Sequence, residues 1–179
     1  MGPITVHTTI ARPRKDVFAY LVDIANHPEF CDHFLVGWRL TREDSAGTGA
    51  GARFKIKQRR NRFGYGDLTF VDVEEPRRIL ARGRGGRFNR ERTLAVWELE
   101  PVSGGGGTRV QLTIETQPAT FSDRLMEALL GAGGFAKRGW GKALRRLRSI
   151  LEEDEDRGAR ATIAGGARKP ATGSPIRGF

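Results

Sequence analysis

The chain has 179 residues, with 31 Lys and Arg against 21 Asp and Glu, a formal charge of +10 and a pI near 10.7; that balance permits attraction to nucleic acid, anionic lipid or an acidic partner and is silent on fold. One domain is expected, since ~150 residues bury about 70% of their unfolded surface, and ten Phe with three Trp suffice for its core. The single cysteine, Cys31, excludes an internal disulfide, no Cys/His cluster has zinc spacing, and no run of about 18 apolar residues could span a bilayer.

The opening Met1-Gly2-Pro3-Ile4 lacks the charged-then-apolar signature of a secretion signal, so the expectation is a soluble, cytoplasmic protein without metal or cofactor. Ile4, Val6, Thr8 and Ile10 alternate with polar neighbours at the period of a half-buried strand. Pro13 stops it and opens a helix predicted over Arg14 to Asp23, with Val17, Phe18 and Leu21 on one side. Asn26 to Phe30 restarts the chain as a second short helix, with Pro28 in its first turn. Strands are predicted at Gly37–Arg42, Ala52–Arg60, Tyr65–Glu74, Arg78–Arg84, Arg92–Glu100 and Thr108–Thr116.

Their separators are turn chemistry: Asp44-Ser45-Ala46-Gly47, Asn61-Arg62-Phe63-Gly64, Glu75-Pro76, Gly85-Gly86 and Ser103 to Gly107. Loops this short join antiparallel neighbours, so a meander is expected beside the first strand. Over Ser122 to Glu152, apolar residues recur at steps of three or four, at Leu125, Leu129, Ala132, Ala136, Trp140, Leu144, Leu147 and Leu151, the face of a long helix. Gly131, Gly133, Gly134, Gly139 and Gly141 weaken its middle, each by roughly 1 kcal/mol against alanine. A helix loosened where it covers something is the expected reason. After Glu152 an acidic block gives way to a Gly, Ala, Arg and Pro mixture; residues 153–179 read as a disordered or loosely docked tail. The sharper alternative is that Thr162-Ile163-Ala164 adds a strand.

Four motifs in this order carry a resemblance. Ile10-Ala11-Arg12-Pro13 with Val17-Phe18, then Asp23 to Phe30 with its Pro28-Glu29-Phe30, then Val71 to Ile79 with Glu75-Pro76, and finally Trp97 to Pro101 with Gly107-Thr108-Arg109-Val110 resemble segments of the START-like, or SRPBCC (Bet v 1-like), superfamily. Its polyketide cyclase/dehydrase-like bacterial branch is the most similar, and His27 to Cys31 also resembles the coenzyme Q-binding and ribosome-associated-toxin branch. The resemblance covers residues 4 to 152. It implies an α+β helix-grip: a curved seven-stranded antiparallel sheet wrapped around a long C-terminal helix, two short helices after strand 1, and a cavity between sheet and helix. A shared fold leaves function open.

Alternation assigns the faces. Phe54, Ile56 and Gln58 turn inward opposite Arg53, Lys55, Lys57 and Arg59, and Leu68 and Phe70 share a face before a slip at Val71 and Val73 that signals a bulge. Ala95, Trp97 and Leu99 turn inward, as does Leu112 with Val110 and Ile114. With Leu129, Phe135 and Trp140 from the helix, these residues form the expected ligand-binding lining, with packing on one another ranked ahead of ligand contact for Phe54, Trp97 and Leu112. Tyr65, Asp67 and Arg82 are the polar groups expected at a cavity mouth, the plainer reading of Asp67 and Arg82 being a cross-strand ion pair. His7, His27 and His33 read as surface histidines, and no catalytic residue is assigned.

The leading expectation is non-enzymatic binding, sequestration or transport of a hydrophobic small molecule of lipid, quinone or polyketide class. A polyketide cyclase or dehydratase is the alternative, and it would need acid and base groups turned inward. Interaction of the basic surface with RNA, ribosome or an anionic membrane ranks below both, because few aromatics interleave with the cations.

Overall fold

The computed structural model describes residues 2–57, 64–85, 91–102, 104, 106–117, 132–153 and 158–163. Strand β1 (Ile4–Ile10) leads through Pro13 into helix α1 (Arg14–Leu21), a 3-10 turn at Ile24–Asn26, and the short helix α2 (His27–Cys31). Strands β2 (Leu35–Leu40), β3 (Gly51–Ile56), β4 (Tyr65–Glu74), β5 (Arg78–Gly85), β6 (Glu91–Pro101) and β7 (Thr108–Gln117) follow, and helix α3 (Ala132–Glu153) comes last. The strands form one antiparallel sheet in the order β1-β7-β6-β5-β4-β3-β2. Consecutive hairpins build β2 to β7, and β1 closes onto the far side of β7 with Val6 opposite Leu112. This is the α+β helix-grip expected from the sequence.

The period of two sorts residues as anticipated. Phe54, Leu68, Phe70, Ile79, Ala81, Ala95, Trp97, Leu99, Val110 and Leu112 are all buried on the concave face. The β4–β5 register slips between Phe70 and Asp72, leaving Val71 39% exposed and setting Val73 opposite Ile79; this is the bulge that the alternation signalled. At Gly83 a β-carbon would sit 1.8 Å from the Asp67 carbonyl oxygen, so only glycine lets β4 and β5 approach there.

Helix α3 lies against β1 and α2, burying Trp140, Ala143, Leu144, Leu147 and Ile150. The part of the predicted helix before Ala132 lies outside the described residues. Gly139 has a packing reason: a β-carbon there would meet the Phe34 ring at 2.8 Å. Its glycine therefore fits helix to aromatic rather than marking a loosened span over a container. Two ties hold the C-terminal half of the helix: Arg146 pairs with Asp32 at 2.5 Å, and Arg12 Nε donates to the Leu151 carbonyl at 2.6 Å.

Residues 158–163 come back to the domain. Ala161 N–H donates to the Ala25 carbonyl at 2.9 Å and Leu40 N–H to the Thr162 carbonyl at 3.1 Å. Arg39 and Thr162 form a parallel bridge, Ala161 is buried, and Arg160 pairs with Asp23. No helix among the described residues is long and apolar enough to cross a membrane.

Candidate functional site

The concave face and the helices over it meet in a connected set of rings. Trp38 of β2 lies 4.7 Å from Phe54 of β3 between centroids, Trp97 of β6 lies 6.1 Å from Trp140 of α3, and Phe34 packs edge-on to Trp140 at 5.2 Å. At the centre is His27. Its imidazole is 5.2 Å from Phe30, 5.8 Å from Phe70, 5.9 Å from Trp97 and 6.1 Å from Trp38. Three strands, β2, β4 and β6, thus converge on one side chain of α2.

His27 is 1% exposed, which corrects the expectation of a surface histidine. The five-residue α2 presents no outer face at all: His27, Pro28, Glu29, Phe30 and Cys31 are all buried, between the sheet on one side and α3 on the other. The His27 Nε2 lies 2.9 Å from the carbonyl of Leu21, the last residue of α1. A carbonyl only accepts, so Nε2 carries the proton and Nδ1 carries a bare lone pair. Nδ1 is buried without a hydrogen-bond partner among the described residues. Burial lowers the His27 pKa to about 4, against smaller opposing effects from the Leu21 carbonyl and Asp23. The ring is therefore neutral at neutral pH.

Beside it, Tyr20 donates its hydroxyl to Glu29 Oε2 at 2.5 Å, with both residues buried. Cys31 is fully buried, and desolvation pushes its thiol pKa well up, so it has little thiolate character. His33 is partly exposed; it donates from Nε2 to the Gly139 carbonyl at 3.0 Å, and desolvation lowers its pKa. His7 is exposed on the outer side of β1, where the alternation put it. Among the described residues no cluster of His, Cys, Asp or Glu could hold a metal ion.

The residues expected to line a site fall into three groups. Phe54, Leu68, Phe70, Ala95, Trp97, Leu99, Leu112 and Trp140 are buried on the concave side or over it. Ile56 is half-buried at the end of β3, and Phe135 is 37% exposed on α3. Gln58 and Leu129 lie outside the described residues. The polar trio divides. Tyr65 is 51% exposed, with Lys55 Nζ 5.4 Å from its ring centre. Asp67 and Arg82 line one open groove of about 690 Å³, with Arg84, Arg92 and Glu115. These groups alternate with buried Leu68, Ala81, Ala95 and Ile114 along the strands, which puts them on the convex face of the sheet. Asp67 is not paired with Arg82 as expected: its Oδ1 accepts from the Arg84 backbone N–H at 2.8 Å, and Arg82 stands opposite Thr69. Residue spacing carried no signal for His27 or for Glu29, the partner of Tyr20, because the five-residue α2 is too short to display a face.

Over residues 1–152 the sequence matches the family described as polyketide cyclase/dehydrase and lipid transport. No curated protein matches. Solved structures share the fold at low identity. A Thermus thermophilus protein aligns with a TM-score of 0.63 and 15% identity, over 86% of this chain and 99% of its own. A Deinococcus radiodurans protein gives 0.59 and 14%, over 85% and 98% respectively. Major latex-like protein 151 of Panax ginseng gives 0.57 and 14%, over 84% and 97%.

Proposed function

Because the chain belongs to the polyketide cyclase/dehydrase and lipid transport family, of the START-like type, we propose that it binds a hydrophobic small molecule of lipid, quinone or polyketide class between the concave sheet face and α3, to sequester or carry it. The observation that carries this reading is the make-up of the interior. Phe54, Leu68, Phe70, Trp97, Leu112 and Trp140 supply apolar and aromatic surface, while the charged Asp67 and Arg82 sit on the convex side. A mostly apolar lining with very few polar groups suits an apolar guest. Native mass spectrometry of protein purified from its own host, with organic extraction of anything released, tests it. A stoichiometric apolar adduct is the expected result. A bare mass from protein that also takes up no apolar probe overturns it and moves the weight to the convex cations and an anionic partner.

A cyclase or dehydratase is the second reading, and one observation favours it: the neutral imidazole of His27 is buried in the interior and could take a proton during ring closure. A base held at about 4 is weak at neutral pH, which ranks this reading second.

A further inference from the structure

The most anomalous group in the interior is the second nitrogen of His27. We infer that His27 Nδ1 is the polar anchor of the interior site, accepting a hydrogen bond from the hydroxyl or N–H of an otherwise apolar ligand. The inference rests on the binding reading above and narrows the ligand class it allows.

Three observations carry it. The Leu21 carbonyl fixes the tautomer, since Nε2 must donate to it, so Nδ1 offers a lone pair and no proton. That lone pair is fully buried and unmatched, and a buried acceptor without a donor costs free energy that the described residues do not recover. The ring environment supplies no donor: Phe30 and Phe70 have none, the Trp38 indole N–H is committed to the Leu35 carbonyl at 2.9 Å, and Trp97 makes no hydrogen bond to Nδ1. Leucine or phenylalanine would fill such a space without that cost. One imidazole nitrogen satisfies the end of α1, and the other is left without a partner among the described residues, in a ring surrounded by aromatic side chains.

The chemistry of the lone pair selects the guest. A carboxylate or phosphate presents only acceptors and would be repelled at Nδ1. An ammonium would have to give up its hydration among four aromatic or apolar faces. A neutral phenol, enol, alcohol or amide N–H fits, joined to an apolar body that lies against the concave rings.

The test uses the full-length protein labelled with 15N at histidine and two probes of nearly equal shape, 2-naphthol and 2-methylnaphthalene. Probe uptake is followed by fluorescence and the His27 ring nitrogens by NMR. The expected result is that both probes bind but only 2-naphthol moves the Nδ1 resonance upfield, toward a hydrogen-bonded nitrogen. His27→Leu is then expected to weaken 2-naphthol by about threefold to tenfold relative to 2-methylnaphthalene, the range for a neutral hydrogen bond. If that variant does not fold, the wild-type resonance decides alone. Binding of both probes with an unmoved Nδ1, or an Nδ1 already hydrogen-bonded to water in the free protein and unchanged by either probe, overturns the anchor and leaves the binding reading standing. Uptake of neither probe overturns the binding reading itself, and the anchor with it.

Discussion

The two faces of one sheet behave as two different materials. On the concave side of β3 to β7, Phe54, Leu68, Phe70, Ala81, Ala95, Trp97 and Leu112 are almost wholly withdrawn from water. At the alternate positions of the same strands, Arg53, Asp67, Arg82, Leu94 and Glu115 face outward, and four of these five are charged. On the convex side Arg84 stands directly opposite Arg92. Like charges in that relation are tolerable only because water screens them. In the interior even a neutral imidazole must give up its proton affinity to stay. The dielectric on each side, more than residue identity, decides what a titratable group can do.

The largest break in the comparison should come from emptying one inner ring. Phe70→Ala is expected to cost about 3–5 kcal/mol by urea denaturation, the range for removing a buried aromatic. A loss under about 1 kcal/mol would mean the concave face is loosely filled around that ring.

The second effect separates the faces by pH. His27 is depressed from 6.5 to about 4 in the folded state, so below pH 6.5 the unfolded chain takes up a proton that the native chain refuses. Its contribution is complete above that pH and falls away as pH drops toward 4, by something of the order of 3 kcal/mol in all. The depressed pKa of His33 adds in the same direction. The stability of wild type minus that of His27→Leu, followed by chemical denaturation from pH 7 to pH 4, should decline over this window. A flat difference would place His27 in contact with water.

The smallest effect belongs outside. Arg82→Ala, on the convex face, is expected to change stability by no more than about 0.5 kcal/mol in the same urea assay. A loss above 1 kcal/mol would reveal an interaction that the open groove does not account for.

Local pattern determined most of this architecture. A strand's alternation is written in consecutive residues, so β4 could be read at Tyr65–Glu74, its bulge at Val71 included. Turn residues between strands, and four short motifs in order, were enough for the helix-grip and its family. Packing between distant segments was not legible. His27 beside Pro28 reads as a helix start, and only the arrival of β2, β4 and β6 around it makes it an interior group. Gly139 reads as a weak point in a helix until the Phe34 ring is found against it. Residues 158–163 contain too little apolar surface to announce a docking site, and they dock through backbone hydrogen bonds to Ala25 and Leu40 together with the Arg160–Asp23 pair, partners that lie more than a hundred residues away along the chain. The sequence by itself determined which face of each strand avoids water, because burial with period two is a local property. The tertiary structure alone decided which polar group was carried inside with the apolar ones, because desolvation is imposed by neighbours far away along the chain.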